Sequence, residues 1–498
     1  MWVQVPPPAP LEHPKAPITL EKSLMSALPV LRLRALTAWA PTLTLPTLTL
    51  PVVTLPVVTL PVRALSVTAK LVLAMVAATA LGSRGWAQEA LPSPSVDSAS
   101  PSASSPAALT VDCEIRLRGT EGRNLDSLEA GLASRSRGWF QRSRLRATLA
   151  RSNLQGVVQV QSAGALGAAA PGADPMPLGL QTGYAQIQLP WLSDAWLRGG
   201  RQPMEYGAGR QVGLYDFDSV GQAFDGLRAH MARQDWLEVD VFALKLRRTP
   251  GQQDQDRALT GAYLVGRPRD SVRADLYFFY LSDRSGQEAV RLLTMGARAV
   301  AAPLAWFEAE GEVAVQSGSL GLVTAVEPQS QLSWMAAGQL QLRHGQTAPM
   351  RWTAFAHHFA GDAKPDDKIR TAWRPLYPSR DQVVGLMQLF QPSNLQQVGL
   401  RWGAEIAPGR QQLELALNGR LSRAEAGAAL PGLGTAPLGG AAGWQPLGWE
   451  ADATAAWKVL PHSQVLAGIA VFVPSEQLRL QRHLDTAVLA LLQWTSAL

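Results

Sequence analysis

Cysteine is nearly absent: Cys113 is the one cysteine in 498 residues, so no disulfide can close within the chain. Lysine is scarce too. After residue 87 there are four (Lys245, Lys364, Lys368, Lys458) against 34 arginines. Outside the N-terminal region no run of eighteen apolar residues occurs, which excludes a polytopic helical membrane protein. No HExxH, GxSxG or CxxC is present, so the signatures of zinc hydrolases, serine hydrolases and thiol redox proteins are missing. Gly207, Gly209 and Gly213 miss the dinucleotide-loop spacing, and their flanks read as strand on both sides where that loop needs strand then helix. His357 and His358 differ in strand parity and cannot serve one metal from one strand. The expectation is a protein that is no enzyme and holds no cofactor and no metal.

Net charge is the next shortage. The formal +6 is concentrated at the N-terminus, where the first 87 residues carry seven basic and two acidic side chains. The remainder has 38 basic and 37 acidic groups, a balance of +1, which gives no case for nucleic-acid binding. What charge there is comes as arginine, whose planar fork grips carboxylates bidentately.

Residues 1–69 read as a disordered or mis-assigned upstream leader, with proline every five residues in TLTLPTLTLPVVTLPVVTLPV. Lys70 then precedes the apolar run LVLAMVAATAL, and Gly85-Trp86-Ala87 supplies small residues for a signal peptidase. Residues 70–87 therefore read as a signal peptide cleaved near Ala87, and 88–107 as a Ser/Pro/Ala-rich linker.

From residue 108 to 498 the pattern becomes period-two alternation. Leu109, Val111, Cys113, Ile115 and Leu117 alternate with Asp112, Glu114, Arg116 and Arg118. Leu145, Ala147 and Leu149 alternate with Arg144, Arg146 and Thr148; Val398, Leu400 and Trp402 alternate with Gln397 and Arg401. Such segments are half-exposed strands. Many apolar faces are light, and tryptophan, 16 in all against 7 tyrosines, recurs at strand ends where an aromatic girdle would sit. With an export signal, this favours an all-β transmembrane antiparallel barrel of about 16–18 strands with a polar, arginine-containing lumen. The glutamates Glu308, Glu310 and Glu312 then lie on a solvated lumen face, and are not read as a glycosidase pair.

One stretch organises the rest. Residues 197–231 read as a strand, a turn region with Gly207, Gly209 and Gly213, and a second strand, with Arg201, Arg210, Asp225 and Arg228 set among apolar positions. Buried unpaired charges are costly, so a wet lumen is the natural place for them. Gly200-Arg201-Gln202, Tyr206-Gly207, Arg210, Gly213 and Phe224-Asp225-Gly226-Leu227-Arg228 together resemble the hallmark of the alginate export family of outer-membrane proteins. Pro375-Leu376-Tyr377-Pro378-Ser379, followed by Gly385, Met387, Asn394 and Leu395, is similar to that family's Leu-Tyr-Pro segment. Leu447-Gly448-Trp449-Glu450-Ala451-Asp452 is similar to its Leu-Gly-x-Glu-x-Asp strand. The chain departs from the pattern at Gln222, where the family usually has Arg.

The resemblance implies an eighteen-stranded barrel in the outer membrane that passes an anionic polysaccharide, an alginate-like uronate polymer, or a related anionic solute outward past arginines. It implies a monomeric barrel in outer-membrane lipid, working with periplasmic export components. The expected pore-lining residues are Arg201, Arg210, Asp225 and Arg228 from the matched motif, and Arg116, Arg144, Arg146, Arg401 and Arg420 from strand parity. Gly207, Gly209 and Gly213 are expected to shape the turn. A general diffusion porin, or a structural barrel without polymer specificity, is the competing expectation.

Overall fold

The computed structural model describes residues 107–498 except 126–134, 167–175, 193, 247–256, 285–287, 323–328, 346–348, 365–366, 407–411, 427–438, 440–442, 483 and 498. The expectations for the leader, signal peptide and linker fall on residues outside these, Ala107 excepted.

The alternating segments form strands that pair in chain order. β1 (Ala108–Arg123) pairs antiparallel with β2 (Arg135–Arg151), and its other edge pairs with the last strand, β19 (Ala487–Ala497), so the sheet closes on itself. Closure leaves no open edge, which is what lipid demands of a sheet. The two-residue β14 (Ile369–Arg370) pairs parallel with β12 (Gln329–His344), while β13 (Met350–Phe359) bonds directly to β15 (Leu395–Ile406). β14 is therefore an inner strap, and the wall has eighteen strands.

The two faces are inverted relative to a soluble barrel. On β1, Leu109, Val111, Ile115 and Leu117 are exposed, while Arg116 and Arg118 are buried. On β11 (Phe307–Leu322), Val313 and Val315 face out and Glu310, Glu312 and Gln316 face in. Each outward Leu or Val left in water would forgo roughly 1.5–3 kcal/mol, so this surface belongs against hydrocarbon. No helix among the described residues is long and apolar enough to cross a membrane; the strands cross it.

The barrel's ends differ. At one end the strands are joined by tight turns, as at 152–153, 270–271 and 461–462. Trp352 and Trp402 lie side by side near this end, with ring centroids 6.3 Å apart, and Trp457 and Trp494 share one cross-strand row through Val465. Trp139 and Trp449 stand exposed towards the other end, where the long connections lie. In outer-membrane barrels the short turns are periplasmic and the long loops extracellular.

Two long connections, 203–223 and 360–394, fold inward. Their apolar side chains (Met204, Tyr206, Trp373, Phe390) join wall residues Phe224, Phe242, Phe279, Phe359 and Phe472 in one buried cluster. The lumen is therefore not the wholly wet interior expected from the alternation. Part of it is a packed core, because the loops carry their own apolar residues to meet apolar positions on the inner wall.

Candidate functional site

The three sequence blocks of the resemblance meet inside the barrel. Val212 forms a parallel bridge with Tyr377. Gly213 N–H donates to Tyr377 O at 2.9 Å, Tyr377 N–H to Gln211 O at 2.8 Å, and Ser379 N–H to Gly209 O at 2.9 Å. Gly207 and Gly209 have φ of 59° and 65°, and a Cβ on Gly213 would lie 2.9 Å from Ser379 N, so glycine permits both the turn and the docking. The third block supports the second loop from the wall: a Cβ on Gly385 would lie 2.5 Å from Glu450 and 2.8 Å from the Arg420 guanidinium carbon.

The first loop is pinned to the wall at both ends. Tyr206 stacks on Tyr263, centroids 4.4 Å apart. Arg210, 5% exposed, bonds Glu310 at 2.5 Å and Glu312 at 2.8 Å. Tyr277 donates to Glu312 at 2.8 Å, and Arg298 bridges Glu310 and Asp275 at 2.9 Å each. The glutamate row thus anchors a loop. At the far side, residues 214–222 form a short finger, closed at its base by Gln222 N–H donating to Leu214 O at 2.9 Å. Its Asp216 meets Arg142 and Arg144 of the β1–β2 wall.

The expected pore residues divide by face. Arg116, Arg144, Arg146, Arg228, Arg401 and Arg420 project from the inner wall, and Arg210 reaches that wall from the loop. Arg228 bonds Asp240 at 2.5 Å, Arg401 bonds Asn418 at 2.7 Å, and Arg420 lies 3.6 Å from Asp452. Arg146 has a buried Nε without a hydrogen-bond partner.

Arg201 and Asp225 do not face the lumen, which corrects the expectation. On β5 (Ala195–Gln202), Arg198 is buried inward and Leu197 is exposed outward. On β6 (Phe224–Arg233), Phe224 joins the inner cluster while Leu227 is 68% exposed. Arg201 is paired opposite Asp225 in the sheet, on the face of Leu197 and Leu227, and their side chains bond at 2.6 and 2.7 Å. Arg201 also donates to Leu180 O at 3.0 Å. The physical reason is strand parity: residues three apart on a regular strand point to opposite faces, so Arg228 inward sends Asp225 outward.

A cavity of about 950 Å³ opens at the tight-turn end of the lumen, bounded by Ser152, Asp194 and Gln234 from the turns and capped by Glu205, Tyr206 and Gly207 of the first loop. Arg198 and Arg228 line it. Arg198, missed in the sequence reading, is 5% exposed and lies between Tyr184 and Trp196, 4.2 and 4.5 Å from their ring centroids. Its hydrogen-bond partner is neutral, Gln186 Oε1 at 2.9 and 2.6 Å. The signal that finds it is the parity that moves Arg201 outward.

Asp381, in the short helix α1 (Arg380–Val384) of the second loop, is a titrating group of the interior. Burial pushes its carboxyl up to about 6, and Asp218 adds to the effect. A raised folded pKa means that the native state holds the proton more tightly than the unfolded chain. Stability should therefore fall as pH rises from about 4 to about 6 and level off above. Thermal melts in detergent at pH 4.5 and 7 should show this penalty, on the order of 2 kcal/mol, as the difference between the wild type and Asp381→Asn. An identical pH response in both would refute it.

In sequence, residues 109–486 match the alginate export family. Among curated proteins, none matches the chain. Solved structures share the fold at low identity. OpdK of Pseudomonas aeruginosa, crystallised with vanillate, is 12% identical, with a TM-score of 0.52 over 78% of this chain and 98% of its own. OccAB3 of Acinetobacter baumannii is 10% identical, with a TM-score of 0.54 over 78% and 99%. OpdO of Pseudomonas aeruginosa is 14% identical, with a TM-score of 0.53 over 78% and 97%.

Proposed function

The chain belongs to the alginate export family, and from that premise we propose that this outer-membrane channel carries an anionic polysaccharide, or a related anionic solute, outward past lumen arginines. The observation that carries the reading is Arg198: a guanidinium buried on the wall of the tight-turn cavity whose hydrogen-bond partner is a neutral amide. A buried cation without a bonded counter-charge is costly, and a carboxylate arriving in the cavity repays that cost with charge-assisted hydrogen bonds. Arg228 on the same cavity adds positive charge held in check by Asp240, so the grip stays weak enough for the solute to leave. In this reading the chain is cleaved near Ala87, inserts as a monomeric barrel, and receives its cargo from periplasmic export components.

The competing reading is a general diffusion porin. On its side stands the pairing of Arg210 and Arg228 with carboxylates, which leaves less free positive charge than a count of arginines implies. Single-channel recording with added glycans separates the two. A conduit for acidic polymer is blocked from the tight-turn side by polyuronate and not by a neutral glucan of equal length. Equal indifference to both polymers would leave the diffusion porin standing.

A further inference from the structure

The outward face of β1 and β2 turns basic at the end of the barrel where the long connections lie. Leu109, Val111, Ile115 and Leu117 are exposed on this face of β1. Gly119 lies about ten residues beyond Leu109, the length a tilted strand needs to cross hydrocarbon. At that height the Trp139 ring lies over Gly119, 3.0 Å from where a Cβ would stand, and the residue is 52% exposed. Such a ring marks the edge of the apolar band. Beyond it the same face carries Glu121 and Arg123 on β1, and Arg135 and Arg137 on β2. Arg137 pairs opposite Glu121 and bonds it at 2.9 Å. Arg135 reaches the same carboxylate, donating from Nε at 3.0 Å. Arg123 sits directly opposite Arg135, is exposed, and has no ion pair among the described residues. Like charges directly opposite in a sheet are destabilising. Three guanidinium groups thus face one carboxylate on this rim.

We infer that Arg123, Arg135 and Arg137 bind the phosphate of an acylated, phosphorylated glycolipid of the lipid A class, seated in the outer leaflet against the barrel wall. The side chains lie on the face of Leu117 and Leu145, away from the lumen, so a solute inside the channel does not meet them. They stand just beyond the aromatic edge, at the depth of lipid headgroups. There a phosphate meets guanidinium forks through charge-assisted hydrogen bonds. A phosphate between Arg123 and Arg135 also relieves their like-charge opposition. Beneath the cations a groove of about 360 Å³ runs between Trp139 and β19, lined by Gly119, Glu121, Arg137, Ala490 and Leu492. Gly119 and Ala490 leave room in it, and Leu492 is exposed, so an acyl chain lies there while its headgroup reaches the arginines. The groove straddles the β1–β19 pairing that closes the barrel. A lipid bound across that seam favours the closed, folded wall by mass action. This inference does not depend on what the channel carries.

The test uses the purified barrel in phosphatidylcholine nanodiscs, titrated with diphosphoryl lipid A and, as control, with the same lipid fully dephosphorylated. Binding is read by native mass spectrometry and as a rise in melting temperature. One arginine near an anionic headgroup is worth about fivefold in affinity. Arg123→Gln should therefore bind diphosphoryl lipid A about fivefold more weakly than wild type, and Glu121→Gln, which removes the competing acid, about fivefold more tightly. The opposite signs separate binding from damage to the fold, because a barrel that is merely weakened does not bind more tightly. The dephosphorylated lipid should bind wild type more weakly, and equally in all three proteins. Millimolar inorganic phosphate should not displace the lipid. Equal affinity of wild type for the two lipids, or equal affinity of wild type and Arg123→Gln for diphosphoryl lipid A, overturns the inference. Displacement by inorganic phosphate would make the cluster a site for free anions and overturn the lipid assignment.

Discussion

Arg210→Met is expected to destabilise the barrel by about 3–5 kcal/mol, because it removes the cation between two buried carboxylates. Glu310 keeps Arg298, but Glu312 keeps only neutral donors such as Tyr277 among the described partners. The same change cuts the loop's charged tie to the wall. Single-channel conductance should rise and become noisy, and amides of 203–213 should exchange faster. The double variant with Glu312→Gln should recover part of the lost stability, since it removes the stranded charge. Unchanged melting and unchanged conductance in Arg210→Met would show that the aromatic stack of Tyr206 and the bridge to Tyr377 hold the loop without it.

The second large effect contrasts two arginines three residues apart. Arg198→Glu puts an anion on the cavity wall between two aromatic rings and should abolish anion preference. Block by polyuronate should weaken by tenfold or more, as expected for losing charge-assisted hydrogen bonds worth about 1.5–3 kcal/mol. Arg201→Gln should leave selectivity and block unchanged, because its side chain lies on the outer face against Asp225. Its effect should be confined to stability, because the change leaves the Asp225 carboxylate without its Arg201 partner on the outward face. Folding of each variant is checked by heat-modifiable migration in detergent gels. Selectivity that follows Arg201 and ignores Arg198 would place the ion path on the wrong side of this wall.

The wall was legible in the sequence because its determinant is local. Alternation at Leu109 to Arg118 assigns each side chain of β1 to a face, and the structure has the same assignment. Tryptophans at strand ends and the absence of helical spans pointed to the same barrel. At Arg201 and Asp225 motif and parity disagree: both belong to the motif with Arg228, but Asp225 and Arg228 are an odd number of residues apart and so face opposite sides of β6. The inward loops were not legible at all. Val212 meets Tyr377 and Arg210 meets Glu310 across 165 and 100 residues, and nothing local in either segment names its partner. The same holds for the counter-charges of the lumen arginines. Asp216 lies in the connection between two strands, with nothing local to mark it, yet it holds Arg142 and Arg144 of the β1–β2 wall, so the number of arginines overstated the charge free to meet a solute.

The most direct measurement is the reversal potential of the wild-type barrel in a planar bilayer under a potassium chloride gradient. A lumen organised around Arg198 and its neighbours predicts chloride permeating several-fold better than potassium, with polyuronate added on the tight-turn side closing the current. Preference for potassium, with currents indifferent to any acidic glycan, would contradict it.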